Sequence, residues 1–161
     1  MAHFTARSTY NKLVERLNLY PQGAPPSDTL FSILQILLNE KEAGLVSKLP
    51  IKPFTAEKAA RVWRLEIKET QKYLDELASR AILVDMEYKS KIEYVLPPPM
   101  AGFIEFSMMR IRKNMDQKLL GQLYYQYMNV EEDFIKSLFT DGETQLGRIF
   151  VQEAVLSNEN A

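Results

Sequence analysis

Between Phe54 and Pro99 the spacing of apolar residues changes from about 3.6 to 2, and prolines close both flanks. Few folds accommodate that change. Pro50 and Pro53 stop whatever precedes it, and Thr55 stands as an N-cap before Ala59, Val62 and Trp63 on one helical face. After a turn around Arg64-Leu65-Glu66, a second helix carries Thr70, Leu74, Leu77, Ala78 and Ala81 at helical spacing. Then Ile82, Val84, Met86 and Tyr88 alternate with Leu83, Asp85 and Glu87; a turn at Lys89-Ser90 leads to Ile92, Tyr94 and Leu96 alternating with Glu93 and Val95. Pro97 to Pro99 end the ribbon, because proline cannot donate to a strand ladder. Helix, tight turn, helix and two-stranded ribbon is the pattern of a winged helix-turn-helix whose second helix holds the recognition position.

The flanks read as helical. Tyr10, Leu13, Val14 and Leu17 form a stripe between Ser8, taken as its N-cap, and Leu19; a proline-rich arm, Tyr20 to Pro26, follows. Ser27 or Asp28 caps a helix with Leu30, Ile33, Leu34, Leu37 and Leu38 on one side, widened by Phe31 and Ile36. Glu40 to Gly44 reads as a turn before a short helical piece containing Leu45, Val46 and Leu49. Beyond the wing, Met100–Arg112 and Asp116–Met128 read as helices, and Asn129 with Glu132 as the capping box of a third, broken at Asp141-Gly142. The expected class is mostly α, a winged helix-turn-helix with a two-stranded β wing and added N- and C-terminal helices. Its segments are 1–26, an N-terminal helix and arm; 27–99, the winged-helix domain; 100–140, a helical extension; and 141–161, a tail or linker.

Composition enters where function is asked. A formal net charge of -1 gives no global excess of cations for phosphates. On the recognition helix, Arg64, Lys68, Lys72 and Arg80 are matched by Glu66, Glu69, Asp75 and Glu76; on the wing, Lys89 and Lys91 face Asp85, Glu87 and Glu93. A DNA-reading alternative rests on Lys68, Gln71 and Lys72, with Lys89 and Lys91 on phosphates. The absence of cysteine removes thiolate ligation, disulfides and a Cys nucleophile, and the single histidine, His3, has no evident orienting partner. The basic run Met108 to Lys113 reads as a helix end covered by cations. Tyr124, Tyr125, Tyr127 and Met128 read as core or a partner surface. The triplet Glu131-Glu132-Asp133 points in three directions and suits the start of a helix better than a metal. No phosphate loop, dinucleotide fingerprint or nucleophile elbow is present; Gly142 and Gly147 lack the context. No apolar run is long enough to span a membrane and no signal peptide opens the chain, so a cytoplasmic, non-enzymatic protein is expected.

The strings LNLYPQGAPPSDTLFSILQILLNEKEAGLVSKLPIKPFTAEKAARVW, YVLPPPMAGFIEFSMMR, LYYQYMNVEEDFIKSLF and GETQLGRIFVQE resemble the N-terminal winged-helix region of bacterial 4Fe-4S ferredoxin-type iron-sulfur proteins over nearly the whole chain. That resemblance implies an association with electron transfer, the cluster itself lying in a Cys-rich region that this chain lacks. It implies either the N-terminal piece of a longer protein or a relative without the cluster module. No cofactor is expected on this chain. The expected function is a non-catalytic interaction or regulatory module that positions or dimerises a ferredoxin-like carrier, with the Tyr124–Met128 region as the interface; the alternative is a winged-helix transcriptional regulator.

Overall fold

The computed structural model describes residues 2–21, 23–110 and 115–139. It is mostly helical with one small antiparallel sheet. In chain order it runs α1 (Ala2–Leu17), α2 (Asp28–Leu37), α3 (Glu40–Val46), α4 (Ala56–Trp63), α5 (Ile67–Ser79), β1 (Val84–Tyr88), β2 (Lys91–Val95), α6 (Ile104–Met109), α7 (Gln117–Tyr125) and α8 (Asp133–Phe139). π-helical turns, Pro99–Phe103 and Gln126–Val130, precede α6 and follow α7.

The apolar stripe of α2 organises the packing. Leu30, Ile33, Leu34 and Leu37 are all buried, and the Ser27 hydroxyl accepts from the Leu30 amide at 3.1 Å, so one of the helix's orphan donors is satisfied. Helix α7 lies against α2, while α1 lies against α3, where Gly44 faces Thr9. One continuous core results, drawing Tyr10, Leu34, Trp63, Leu77, Tyr94, Tyr127 and Phe134 from every described segment. Truncating a fully enclosed side chain such as Leu34 to alanine would cost about 2–5 kcal/mol.

Several local expectations are corrected. Helix α1 begins at Ala2, so Ser8 lies inside the helix and is not its cap. Residues Glu40–Gly44 are helix, not turn: the Asn39 side chain accepts from the Glu42 amide at 2.9 Å and the Glu42 carboxylate accepts from the Asn39 amide at 3.0 Å, a complete capping box. Thr55 has the extended backbone of an N-cap, but its hydroxyl does not bond the helix amides; it bonds Glu57 instead, which holds that carboxyl below its usual range. Helix α6 spans only Ile104–Met109, because the Ile104 amide bonds Pro99 and the Phe103 amide bonds Pro98, and both bonds belong to the wider π turn. Asn129 does not cap α8. It sits in the second π turn, its side-chain amide donating to the Tyr125 carbonyl, and Glu132 has a left-handed backbone with φ of 59°. The His3 side chain, residues 111–114 and the 141–161 segment with its Asp141-Gly142 break lie outside the described residues.

The hairpin pairs Val84 with Val95, Asp85 with Tyr94, Met86 with Glu93, Glu87 with Ile92 and Tyr88 with Lys91. Lys89 and Ser90 both have positive φ, 49° and 59°, the geometry of a two-residue turn whose twist matches that of the strands. Directly paired residues share a face, so Tyr94 stands with Asp85 and Ile92, while Met86 stands on the other side. The apolar sets read from alternation in the two strands therefore point in opposite directions. Tyr94 is the residue that turns inward. Its backbone exchanges both hydrogen bonds with Phe54, at 2.7 and 2.9 Å, and the two rings stack at 6.3 Å.

Candidate interaction surface

Helix α5 buries Thr70, Leu74 and Leu77 against α4 and the core, leaving Lys68 and Lys72 exposed on its outer side. Between these faces lies Gln71. Its side-chain amide donates to Asp75 at 2.7 Å and to the Tyr94 hydroxyl at 2.5 Å, and Tyr94 donates to Asp75 at 2.9 Å. The triangle fastens the hairpin to α5. Burial, followed by the hydrogen bond to Asp75, pushes the Tyr94 phenol up to about 12. Both amide protons of Gln71 are engaged, so this side chain lacks the free donor needed to read an adenine edge bidentately.

Two of the charges that balance along the sequence, Arg80 and Glu69, find partners on α3. Arg80 turns away from the α5 surface, donating to both Glu42 oxygens at 2.5 and 3.2 Å and to the Leu37 carbonyl at 3.4 Å. Glu69 has Lys41 at 4.0 Å, and the Lys41 ammonium donates to the Tyr73 hydroxyl, which is the main cause of its raised pKa. Among the described residues, no ion pair includes Lys68 or Lys72. Lys89 and Lys91 are exposed at the hairpin tip, where Lys91 helps to lower the Glu57 carboxyl. Asp85 and Glu87 are exposed along β1, and Ile92, 54% exposed, shares their face.

The tyrosine-rich segment divides between core and surface. Tyr124 is buried with its hydroxyl 2.7 Å from that of Ser107; Tyr127 is buried with its hydroxyl donating to the Pro25 carbonyl at 2.8 Å. Burial, then the charges of Glu131 and Asp133, raise the Tyr127 phenol well above the ordinary value. Only Tyr125, 66% exposed, is presented to solvent, with Met128 half-buried. An interface made from all four would require the core to open. Helical geometry explains the division: positions 124 and 127 are three apart and share a face that 125 leaves.

The acidic triplet disperses as its spacing predicts, Glu131 bonding Thr29, Glu132 pairing with Lys136 at 2.9 Å and Asp133 opening α8. Among the described residues no group of three acidic or histidine side chains converges as a metal site, and no helix is long and apolar enough to cross a membrane. Comparison with protein-family models, characterised proteins and solved structures gives no match.

Two features escape a sequence reading. The Arg80–Glu42 clasp joins residues 38 apart, and only the Asn39-to-Glu42 spacing hints that Glu42 has a fixed place. The Gln71–Asp75–Tyr94 triangle has a partial signal, since Gln71 and Asp75 are four apart and must meet on a helix. The tyrosine that completes it comes from another element.

Proposed function

We propose that Phe54–Pro99 is a winged helix-turn-helix and that the chain is a non-catalytic interaction module accompanying a 4Fe-4S ferredoxin-type electron-transfer protein. The observation that carries this reading is the hairpin surface. It offers Ile92 and Met86 to solvent on its two faces, beside the carboxylates of Asp85 and Glu87. Such a surface repels phosphates and suits a protein partner, for which exposed apolar side chains, Met included, are natural contacts. A purified 4Fe-4S ferredoxin-type protein, titrated into the isotope-labelled chain, should shift the amide resonances of the hairpin, and Ile92→Asp with Met86→Asp should abolish the shifts. Sedimentation of the chain alone tests the homodimeric form. Unchanged spectra together with a monomer at every concentration would remove the basis of this reading.

Lys68 and Lys72, which have no ion-pair partner among the described residues, favour a second reading as a DNA-binding regulator. With Lys89 and Lys91 they would make four phosphate contacts, so the logarithm of affinity should fall with that of salt with a slope of about -3.6. Lys68→Glu with Lys72→Glu should roughly halve that slope. Salt-insensitive or absent binding of genomic fragments counts against this reading.

A further inference from the structure

A groove of about 450 Å³ opens beside β1, lined by Leu83, Val84 and Asp85 on one side and by Phe106, Met109 and Arg110 on the other. Ala78 and Ala81 complete its lining. Consecutive strand residues point to opposite faces of a sheet, so a cavity that meets Val84 and Asp85 together, and no residue of β2, runs along the strand edge rather than over a face. That edge of β1 has no hydrogen-bonded neighbour among the described residues: β2 occupies the opposite side, and the additional bridge from Phe54 falls on β2. An unpaired edge presents a row of backbone donors and acceptors to any extended chain that reaches it.

We propose that this edge receives an extended segment of a protein partner, added as a third strand, with Lys or Arg at alternate positions and apolar residues between them. The occupant follows from the charges. Asp85 and Glu87 lie on one face of the edge, two residues apart, so an added strand places its own alternate side chains opposite them. Met86, on the other face, meets the intervening apolar residue, and a further one enters the groove between Val84 and Met109. Arg110 shares the lining of the groove with Asp85, whereas Glu87 lies outside that lining. A second copy of this chain is the wrong occupant: symmetric pairing along all of β1 would place Asp85 opposite the other copy's Glu87 twice, and directly opposed like charges destabilise a ladder. The inference rests on the interaction-module reading and specifies the partner's chemistry.

The full chain, isotope-labelled, is titrated with a synthetic peptide alternating lysine and valine, with the same peptide carrying glutamate for lysine, and with a version carrying proline at its centre. The lysine peptide should shift Val84–Glu87 and the α6 amides, and should lose at least tenfold in affinity on Asp85→Lys with Glu87→Lys, both exposed positions, while that variant should bind the glutamate peptide. Proline should weaken binding, because it removes a ladder donor. Met109→Lys, at a residue 74% exposed, places a cation against the basic segment and should weaken binding of the lysine peptide without touching the core. Binding that ignores proline, shifts centred on Lys68 and Lys72, or β1 shifts that depend on protein concentration without peptide would each overturn the proposal; the last would identify a second copy as occupant. If the peptide fails while the ferredoxin-type partner still shifts the hairpin faces, the edge assignment falls and the module reading stands.

Discussion

The Arg80–Glu42 clasp makes a prediction that can be worked from its geometry. The Glu42 side chain is 6% exposed and that of Arg80 16%, so this is a largely buried ion pair, bidentate and tied to the Asn39 amide and the Leu37 carbonyl. Replacing Glu42 by alanine strands a guanidinium in the interior, for which about 3–5 kcal/mol is typical. Arg80 has some access to solvent and has Glu76 at 4.0 Å, so the lower end, about 3 kcal/mol, applies. Loss of the reciprocal bond to Asn39 adds about 0.5–1 kcal/mol. The sum is a large fraction of an ordinary domain's 5–15 kcal/mol and corresponds to a fall in Tm of roughly 7–16 °C. The lone tryptophan, Trp63, is buried with its indole donating to the Leu45 carbonyl at 2.9 Å, so its fluorescence reports urea unfolding directly. The midpoint should fall while the slope stays constant. Glu42→Leu combined with Arg80→Met removes both charges and should recover stability to within about 1 kcal/mol of the parent. A single-variant loss below about 1 kcal/mol, or a double variant as unstable as the two singles summed, would refute the reasoning.

Three further outcomes follow from the structure. Because Tyr94 ionises at about 12 when folded and near 10 when unfolded, its contribution is complete below pH 10 and disappears as pH rises through 12; phenolate absorbance should show late classes, of which Tyr94→Phe removes one, at a cost of about 0.5–1.5 kcal/mol, and leaves that of Tyr127. Lys89→Asn with Ser90→Gly suits the positive φ of both turn residues and should raise stability by about 0.5–1 kcal/mol in the same urea assay. Gly102→Ala would place a Cβ 2.7 Å from Pro97 and 3.2 Å from Pro98, rigid rings that cannot step aside, and should destabilise by about 1–3 kcal/mol, read as a lower Tm.

Elements were legible where one apolar periodicity ran long enough. Helix α2 and the Lys89-Ser90 turn match their sequence reading because each buries a regular stripe or sits between two strands of equal length; α5 buries Thr70, Leu74 and Leu77 as expected but ends at Ser79, so Ala81, expected on the same stripe, lies beyond the helix with a left-handed φ of 57°. Helix α3 was hidden because Asn39-Glu40-Lys41-Glu42 looks like a charged turn until Glu42 is recognised as half of a capping box. The inward face of the hairpin was not legible because alternation reports that one side is apolar, not which side the core occupies; Phe54 decides that by pairing with the Tyr94 backbone. The candidate surface was half legible. Lys68 and Lys72 are exposed as helical spacing predicts, whereas their effective charge depended on where Arg80 and Glu69 found partners.

Tyr127 bonds the Pro25 carbonyl and Glu131 bonds Thr29, each across 102 positions of the chain. On the ribosome that separation is a delay. At about 5–20 residues per second, roughly 5–20 s pass between the emergence of the proline arm and that of the helix that covers it. Throughout that interval the side of α2 that α7 covers is an open apolar face on a nascent chain, so the last third of the polypeptide protects the first.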